Sequence, residues 1–351
     1  MALRYIGIDL HTSSCTLAVL GPTGRRLRCW QVDTNQRALL EAVRSVAGEI
    51  CVCFEEGTLS DWLYEILEPV ASEIQVIQPL KRRGNKNDTV DAWAAAEAMR
   101  VASKEVTQVF KAPKRYTGLR KAVRAHLLIQ QDVVRVKNRI HACYRSRAIQ
   151  SVNAEIYDSE LRVEWLKKLA PAQRHLTEIL SVELDGLLEA RTQAEQWLLE
   201  EAEKVAAVRL LCTAPAISLI RASQIVAIVL SPHRFRTRSQ FWAYCGLGIV
   251  MHSSSDWQRA PSGRWERTQV AQLRGLNHNK NPVLKNVFKG AAITLLHMPT
   301  HPLYASYHRA LAAGQKPNLA RLTLARRIAA AVLAMWKSNT EYDTNKQQAV
   351  A

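Results

Sequence analysis

Short apolar stretches of two kinds follow one another through the first hundred residues of the chain. Alternating or wholly apolar stretches predict strands over residues 5–10, 15–20, 28–32, 50–54 and 74–77. Apolar residues three and four positions apart predict helices over residues 36–46, 60–67 and 88–99. A Gly-Pro-Thr-Gly turn separates the second strand from the third. The predicted order of elements is therefore βββαβαβα.

Helical periodicity dominates the rest of the chain. A basic stretch from about Tyr116 to Tyr144 and an acidic stretch over about 160–208 each predict long helices. Together they predict an antiparallel helical arm, which is either a packing scaffold or also a coiled coil that pairs two protomers. Beyond the arm, the pattern predicts further helices and one long polar loop, His252–Arg267.

This order of elements predicts an α/β fold followed by α structure. Three consecutive strands and then alternating helices and strands are typical of the ribonuclease-H-like fold, which we expect over residues 1–108. We expect the helical, coiled-coil-like arm over 109–208 and a mostly helical, DNA-binding C-terminal domain, which carries the polar loop, over 209–351.

The formal net charge of +17 is concentrated in two segments. Residues 1–110 carry 12 basic and 14 acidic side chains, whereas residues 111–147 carry 11 and 1. Residues 151–204 carry 6 basic and 12 acidic side chains, and residues 231–351 carry 17 and 4. Cations gathered in this way repel one another unless a polyanion neutralises them, so the charge pattern predicts a nucleic-acid partner. A merely solubilising surface would intersperse both signs.

Two further features of the sequence bear on the compartment. The amino terminus has no signal-peptide pattern, and no apolar run approaches the roughly 20 residues that a membrane helix needs. The seven cysteines lie mostly in apolar surroundings without the C-x-x-C spacing of zinc or redox sites, so we expect reduced, buried thiols. We therefore expect a cytoplasmic protein.

Acidic residues stand where a ribonuclease-H-like sheet would bring them together. Asp9 lies within the first strand, Glu55 and Glu56 follow the fourth strand, and Asp88 and Asp91 share the first turn of a helix. Hard oxygen ligands in this number suit Mg²⁺ or Mn²⁺, which promote phosphoryl transfer. Singly, each acid has a structural alternative: Asp88 as a helix cap, Asp91 as a dipole partner and the glutamates as exposed loop residues.

The same residues carry a resemblance to a known family. Gly7-Ile-Asp9, the acid-Gly pair after the fourth strand and Asn87-Asp-Thr-Val-Asp-Ala92 resemble the DEDD transposases of bacterial insertion sequences, whose N-terminal domain is similar to the RuvC resolvase. The same family includes pilin-gene invertases. The resemblance implies a catalytic, metal-binding tetrad of Asp9, Glu55, Asp88 and Asp91, with Glu56 as a substitute for Glu55.

The second half of the chain extends the resemblance. Leu211-Cys-Thr-Ala-Pro-Ala-Ile-Ser218, Arg234-Phe235 and Trp242-Ala-Tyr-Cys-Gly-Leu247 resemble the family's C-terminal domain. In that family a serine soon after the last of these motifs attaches covalently to DNA, which implies Ser254 or, next, Ser253 as the catalytic nucleophile. The chain departs from the family pattern at Ala216, Ser218 and Ser255, where glycine is usual.

The resemblance also implies partners for the chain. These are double-stranded DNA, an element-encoded bridge RNA that guides target choice, and further copies in a homo-oligomer, a dimer or tetramer, which is nucleoid-associated when bound to DNA. We expect nucleic acid to be bound by basic residues: Arg115, Arg120, Lys121, Arg124, Lys137, Arg139, Arg259, Arg264, Arg267 and Lys285. Two rival functions are a RuvC-like endonuclease that uses metal-activated water and a nucleic-acid-binding protein with decayed chemistry.

Overall fold

The chain folds into two compact units, Met1–Lys114 and Arg115–Ala351. A computed structural model describes residues 2–79, 87–102, 106–150, 155–252, 257–267, 273–276 and 279–343. The predicted domain boundaries near residues 108 and 208 stay predictions. No helix in these described ranges is both long enough and apolar enough to cross a membrane.

A mixed five-stranded sheet is the centre of the first unit. Its strands are β1 (Leu3–Leu10), β2 (Ser14–Leu20), β3 (Arg26–Asp33), β4 (Glu49–Glu55) and β5 (Glu73–Ile77). They lie in the order β3-β2-β1-β4-β5. The first three strands form an antiparallel meander, whereas β4 runs parallel to β1 and β5 parallel to β4. The five predicted strands are confirmed.

Successive side chains of β1 point to opposite faces of the sheet, and different helices pack on the two faces. The helices of the unit are α1 (Gln36–Arg44), α2 (Ser60–Leu67) and α3 (Asp88–Arg100). Ile6 and Ile8 point to the face where residues of α1 and α2 complete the larger hydrophobic core. On the other face, Cys51 and Cys53 of β4 pack against alanines and Met99 of α3. The sheet thus has α1 and α2 packed on one face and α3 packed on the other.

Two long antiparallel helices begin the second unit. The helices of the unit are α4 (Thr117–Arg145), α5 (Arg162–Lys167), α6 (Pro171–Glu203), α7 (Ala206–Leu211), α8 (Leu219–Val229), α9 (Arg238–Tyr244), α10 (Pro282–Leu295), α11 (Pro302–Ala312) and α12 (Pro317–Ser338). Val136, Ile140 and Tyr144 of α4 share a core with Leu180 and Leu184 of α6. The acidic stretch predicted as one helical region is divided into α5, α6 and α7. The proline at the start of α6 separates it from α5.

The region predicted as a long polar loop contains strands. Strand β6 (Ile249–His252) pairs with β9 (Leu273–Leu276), and β7 (Trp257–Arg259) pairs with β8 (Trp265–Arg267). The prediction of a loop was therefore wrong for β7 and β8, which form a hairpin. Gly263 makes their tight turn possible, because its φ of +80° favours glycine.

The turn between α7 and α8 has Ala216 and Ser218 where the resemblance led us to expect glycines. Ala216 adopts a φ of +59° between α7 and α8, a left-handed conformation that costs an alanine about 1–2 kcal/mol. The carbonyl of Ala216 accepts a hydrogen bond of 2.7 Å from Arg221. Ser218 then caps α8, with its side chain accepting from the backbone N–H of Arg221 at 3.4 Å. The turn keeps a glycine-like backbone without its glycine.

The thiols of the chain are free, as the cysteine pattern predicted. Cys15, Cys51, Cys53, Cys143 and Cys245 are buried, and Cys29 and Cys212 are partly buried. Burial raises the pKa of the thiols of Cys15, Cys29, Cys51, Cys53, Cys212 and Cys245, most strongly in Cys53 and Cys245. These cysteines are packing residues rather than reactive nucleophiles.

Candidate active site

Asp9 lies near the end of β1, on the face that α3 covers. Its side chain is 16% exposed, and its Oδ2 atom lies 3.1 Å from Nε2 of His11. Burial raises the pKa of the Asp9 carboxyl, the proximity of His11 opposes that rise, and the neighbouring charges of Asp88 and Asp91 add to it. A bound cation would stabilise the charged form of a carboxylate in such surroundings.

Asp88 and Asp91 lie in the first turn of α3. The N-cap of this helix is Asn87, whose side chain accepts a hydrogen bond of 2.9 Å from the N–H of Thr89. The capping role that the sequence allowed for Asp88 therefore belongs to Asn87. Oδ1 of Asp88 lies 3.6 Å from Nε2 of His11.

Three side chains form the cluster that fits a metal ion by distance. Asp9, His11 and Asp88 each offer a ligand atom, and these atoms lie within 4.8 Å of one another. The charge of Asp91 is near enough to raise the pKa of Asp9, although Asp91 is not in that group. Two carboxylates and an imidazole are compatible with a divalent metal.

His11 is a site residue that the sequence reasoning missed. It follows Asp9 by two positions, a spacing that places two side chains on the same side of an extended chain. That spacing, at the end of a strand with a buried acid, was the available signal.

A glycine in β1 allows α3 to approach the sheet closely. A Cβ atom built on Gly7 would lie 1.9 Å from the carbonyl oxygen of Ala92 and 2.4 Å from the nitrogen of Ala96. Both are backbone atoms of α3, so no side chain can move aside to make room. Gly7 therefore fixes the distance between β1 and α3, and with it the distance from Asp9 to the acids of α3.

The sheet distinguishes the two glutamates after the fourth strand. The pairing of β1 with β4 ends at Ile8 opposite Phe54, so Glu55 lies one step further along, beside Asp9. Glu55 also has the same parity along β4 as Cys53, which packs against α3. Glu56 comes after the strand, is exposed, and its N–H donates to the carbonyl of Ile77. The backbone thus directs Glu55, and not Glu56, to the face of Asp9.

An open polar cleft of about 420 Å³ lies beside the cluster. It is lined by Thr16, Cys29, Trp30, Gln31, Asn87, Asp88 and Thr89. Thr16 of β2 is opposite Asp9 of β1 and opposite Gln31 of β3, so the three residues form one row across the sheet. The cleft therefore leads along the sheet to the carboxylates.

Basic residues of α4 occupy the side of the helix opposite its core. Lys121, Arg124 and Arg139 are exposed there, and Arg120 is partly exposed. Arg139 also approaches Glu183 of α6 at 3.9 Å. Lys137 lies on a different side, with its Nζ 4.8 Å from the ring centre of Tyr157. Four of the predicted contact residues in α4 thus share one surface, and Lys137 does not.

The other predicted contact residues are distributed through the second unit. Arg115 lies just before α4, with its guanidinium 5.0 Å from the ring centre of Tyr116. Arg259 and Arg264 are exposed in the hairpin of β7 and β8, and Arg267 ends β8. In α10, burial and then the charges of Lys280 and Lys289 lower the pKa of Lys285. Such crowded cations favour an anionic ligand.

Ser253 and Ser254 are the candidate nucleophiles. Ser253 and Ser254 belong to residues 253–256, which lie outside the described residues, between His252 of β6 and Trp257 of β7. Their role remains a prediction.

Comparison with known families decides the identity of the chain. A model of the DEDD transposases of the IS110 group, described as a transposase, matches residues 6–146. A model described as transposase IS116/IS110/IS902 family matches residues 208–299. The chain belongs to the IS110/IS116 family of transposases. A comparison with curated proteins found no match.

This IS110/IS116 transposase is a DNA transposase or recombinase, and its family implies DNA binding. The first family match spans Asp9, Glu55, Asp88 and Asp91, and the second spans Ser254 and Lys285. The acidic cluster of the first unit is therefore within the segment that marks the chain as a DEDD transposase.

The close approach at Gly7 generates a test of how the cluster is assembled. We expect Gly7→Ala to lower the free energy of unfolding by at least the 1–3 kcal/mol that is typical of overpacking, about the cost of forcing α3 away from β1. Chemical denaturation would measure the loss. The control is Gly57→Ala, because a Cβ atom there meets nothing within 4 Å. Equal stability of the two variants would contradict the packing argument.

Proposed function

We propose that this transposase cleaves and joins DNA strands with Mg²⁺ or Mn²⁺ at its carboxylate cluster and with Ser254 as a covalent nucleophile. The observation that carries the proposal is the meeting of Asp9, His11 and Asp88 beside an open polar cleft. We further infer that the first unit is a RuvC-like member of the ribonuclease-H-like fold, which the sheet order β3-β2-β1-β4-β5 supports.

Asp9 and Asp88 are the proposed primary ligands, with Asp91 and Glu55 completing the acidic set. When bound, the ion would act as a Lewis acid at the scissile phosphate. Nε2 of His11 lies within hydrogen-bond distance of Asp9, at 3.1 Å, and 3.6 Å from Asp88, so it would be placed to serve as a further ligand of the ion. Glu55 is preferred to Glu56 because it shares the face of Asp9.

The proposed covalent step is a transesterification at phosphorus. The hydroxyl oxygen of Ser254 bonds to a DNA phosphorus, and the bond from that phosphorus to one bridging deoxyribose oxygen breaks. The serine proton passes to a basic group of the site, and the displaced oxygen takes up a proton to become a hydroxyl. A hydroxyl oxygen of a second strand then bonds to that phosphorus and loses its proton to the site, while the bond from phosphorus to the Ser254 oxygen breaks and the serine takes back a proton. Each step exchanges one phosphate ester bond for another, so strand transfer needs no external energy source.

The basic surface of α4 supports the proposal of a guide RNA. Its helix of 29 residues extends about 43 Å, long enough to follow a run of phosphates. Arg120, Lys121, Arg124 and Arg139 present their charges along that length. An element-encoded RNA that directs target choice is the partner that we propose for this surface.

An apolar stripe on α6 supports the proposal of a homo-oligomer. At an alternating spacing of four and three residues, the apolar positions are Ala172, Leu176, Ile179, Ala190 and Trp197, whereas Glu183, Gly186 and Gln193 interrupt them, so the stripe is not a sustained heptad. Ile179 is 55% exposed, and the adjacent Val182 is 73% exposed. Apolar side chains at this spacing would be covered in a coiled coil with a second copy of α6.

The metal proposal predicts different thermal responses in two variants. We expect Mn²⁺ to raise the melting temperature of the wild type. At a free Mn²⁺ concentration 100 times the dissociation constant, binding should add about 2.7 kcal/mol to the free energy of unfolding. Asp9→Asn should abolish that rise. Without metal, the variant should be at least as stable as the wild type, because burial and the neighbouring carboxylates raise the pKa of Asp9. Asp33→Asn, an exposed acid of β3, should respond to Mn²⁺ like the wild type.

The serine proposal predicts a protein–DNA adduct that survives denaturation. Incubation with the DNA ends of the element and Mn²⁺ should produce an adduct in the wild type and in Ser253→Ala, and none in Ser254→Ala, because only Ser254 supplies the attacking oxygen. Denaturing electrophoresis would detect it. Full strand cleavage by Ser254→Ala without an adduct would instead indicate an endonuclease that uses water. DNA binding by the wild type without any metal-dependent cleavage would indicate decayed chemistry.

The stripe on α6 predicts the oligomeric state. We expect the double variant Ile179→Glu and Val182→Glu to halve the mass in solution or reduce it further, because buried glutamates in a coiled coil repel one another. Light scattering during size-exclusion chromatography would measure the mass. Val163→Glu, a change at a 52% exposed residue of α5, is the control and should keep the wild-type mass. An unchanged mass of the double variant would exclude this interface.

A further inference from the structure

The hairpin of β7 and β8 carries two exposed tryptophans on one face. Its register places Arg259 opposite Trp265, and Trp257 lies two residues before Arg259 on the same strand. Residues directly opposite one another share a face, as do alternate residues of one strand. Trp257, Arg259 and Trp265 therefore present their side chains together.

Both rings lie largely in solvent. Trp257 is 53% exposed and Trp265 is 67% exposed, the highest values among the tryptophans of the chain, compared with 39% for Trp197. Large aromatic side chains left in water forgo the stabilisation that burial normally provides. Two exposed tryptophans on one hairpin therefore indicate a surface that a ligand covers.

The charges around the tryptophans indicate a polyanion. Arg259 and Arg264 are exposed beside them, and Glu266 is the one acidic residue between positions 257 and 267. The guanidinium of Arg259 makes a long hydrogen bond of 3.4 Å to the carbonyl of Gly263, which leaves donors for another partner. A ligand that combines flat aromatic rings with repeated negative charges is a nucleic acid.

We propose that the hairpin of β7 and β8 is a stacking platform for unpaired bases of the DNA on which the transposase acts. Bases within a duplex already stack on one another, so exposed tryptophan faces are useful only for bases that have left the helix. Trp257 and Trp265 occupy diagonal positions, about 7–8 Å apart in a hairpin of this kind, and can receive neighbouring bases. Arg259, which shares their face of the hairpin, contacts the phosphates.

The position of the hairpin in the sequence connects it with strand cleavage. Trp257 follows the candidate nucleophile Ser254 by three residues. Bases held on the hairpin would keep the adjoining phosphate close to the segment that attacks it. This connection rests on the proposed role of Ser254, whereas base stacking by the hairpin does not, so binding measurements test it separately.

The experiment compares the affinities of the full-length protein for three labelled probes by fluorescence anisotropy. The probes are a single-stranded DNA oligonucleotide, the blunt duplex formed from it and an RNA of the same sequence. We expect Trp257→Leu and Trp265→Leu each to weaken single-stranded DNA binding about tenfold and duplex binding less than about twofold, because stacking supplies energy only for unpaired bases. Trp265→Phe should retain most of the affinity, since it keeps a flat ring.

Controls separate stacking from charge and from misfolding. Phe110→Leu removes a 47% exposed ring in the other unit and should leave all three affinities unchanged. Across a salt series, the tryptophan variants should keep the wild-type slope, whereas Arg259→Gln should reduce it by about 0.7 for the single strand. Far-ultraviolet circular dichroism would confirm that every variant is folded.

Four outcomes would overturn the proposal. An equal loss for duplex and single strand would indicate insertion of the hairpin into a groove, and a loss confined to the RNA probe would assign the platform to RNA. Wild-type affinity of both leucine variants would show that the rings do not stack on bases. An affinity of Trp265→Phe as low as that of Trp265→Leu would show that an aromatic face is not what the ligand requires.

Discussion

The direct contact of α3 with β1 at Gly7 is the constraint on which the candidate active site depends. The sheet carries Asp9 and the helix carries Asp88, so these two acids meet only if the two elements approach closely. A glycine in the strand allows backbone to meet backbone, and the alanines of α3 continue the close packing. The cluster is thus a consequence of small residues in the core.

Electrostatics links this packing to chemistry. Bringing carboxylates together near a partly buried strand end raises the pKa of Asp9 and disfavours its charged form. His11 offsets part of that cost in the protein itself. A divalent cation would offset more, so a site that is unfavourable without its ligand is well suited to hold one. The exposed basic residues of the second unit are those that we propose to contact the phosphates of nucleic acid.

Several elements were predictable because their signals are local. The five strands of the sheet and helices α1, α2 and α3 follow from apolar periodicity together with glycine and asparagine at their ends, and they were confirmed. The loop predicted after β6 was wrong in part, because Trp257 to Arg259 and Trp265 to Arg267 are too short for a periodic signal. Pairing across the turn at Gly263, rather than propensity, makes them strands.

The sequence by itself determined the order of elements, the separation of charge along the chain and the family, because each of these is written in neighbouring residues. The tertiary structure decided three further points: that Asn87 and not Asp88 caps α3, that Glu55 and not Glu56 faces Asp9, and that His11 joins the cluster. The cap at Asn87 depends on the local backbone at the start of α3. The position of Glu55 depends on strand register, and the approach of His11 to Asp88 depends on packing between elements that are distant in the chain. Distances of that kind arise only when the chain is folded.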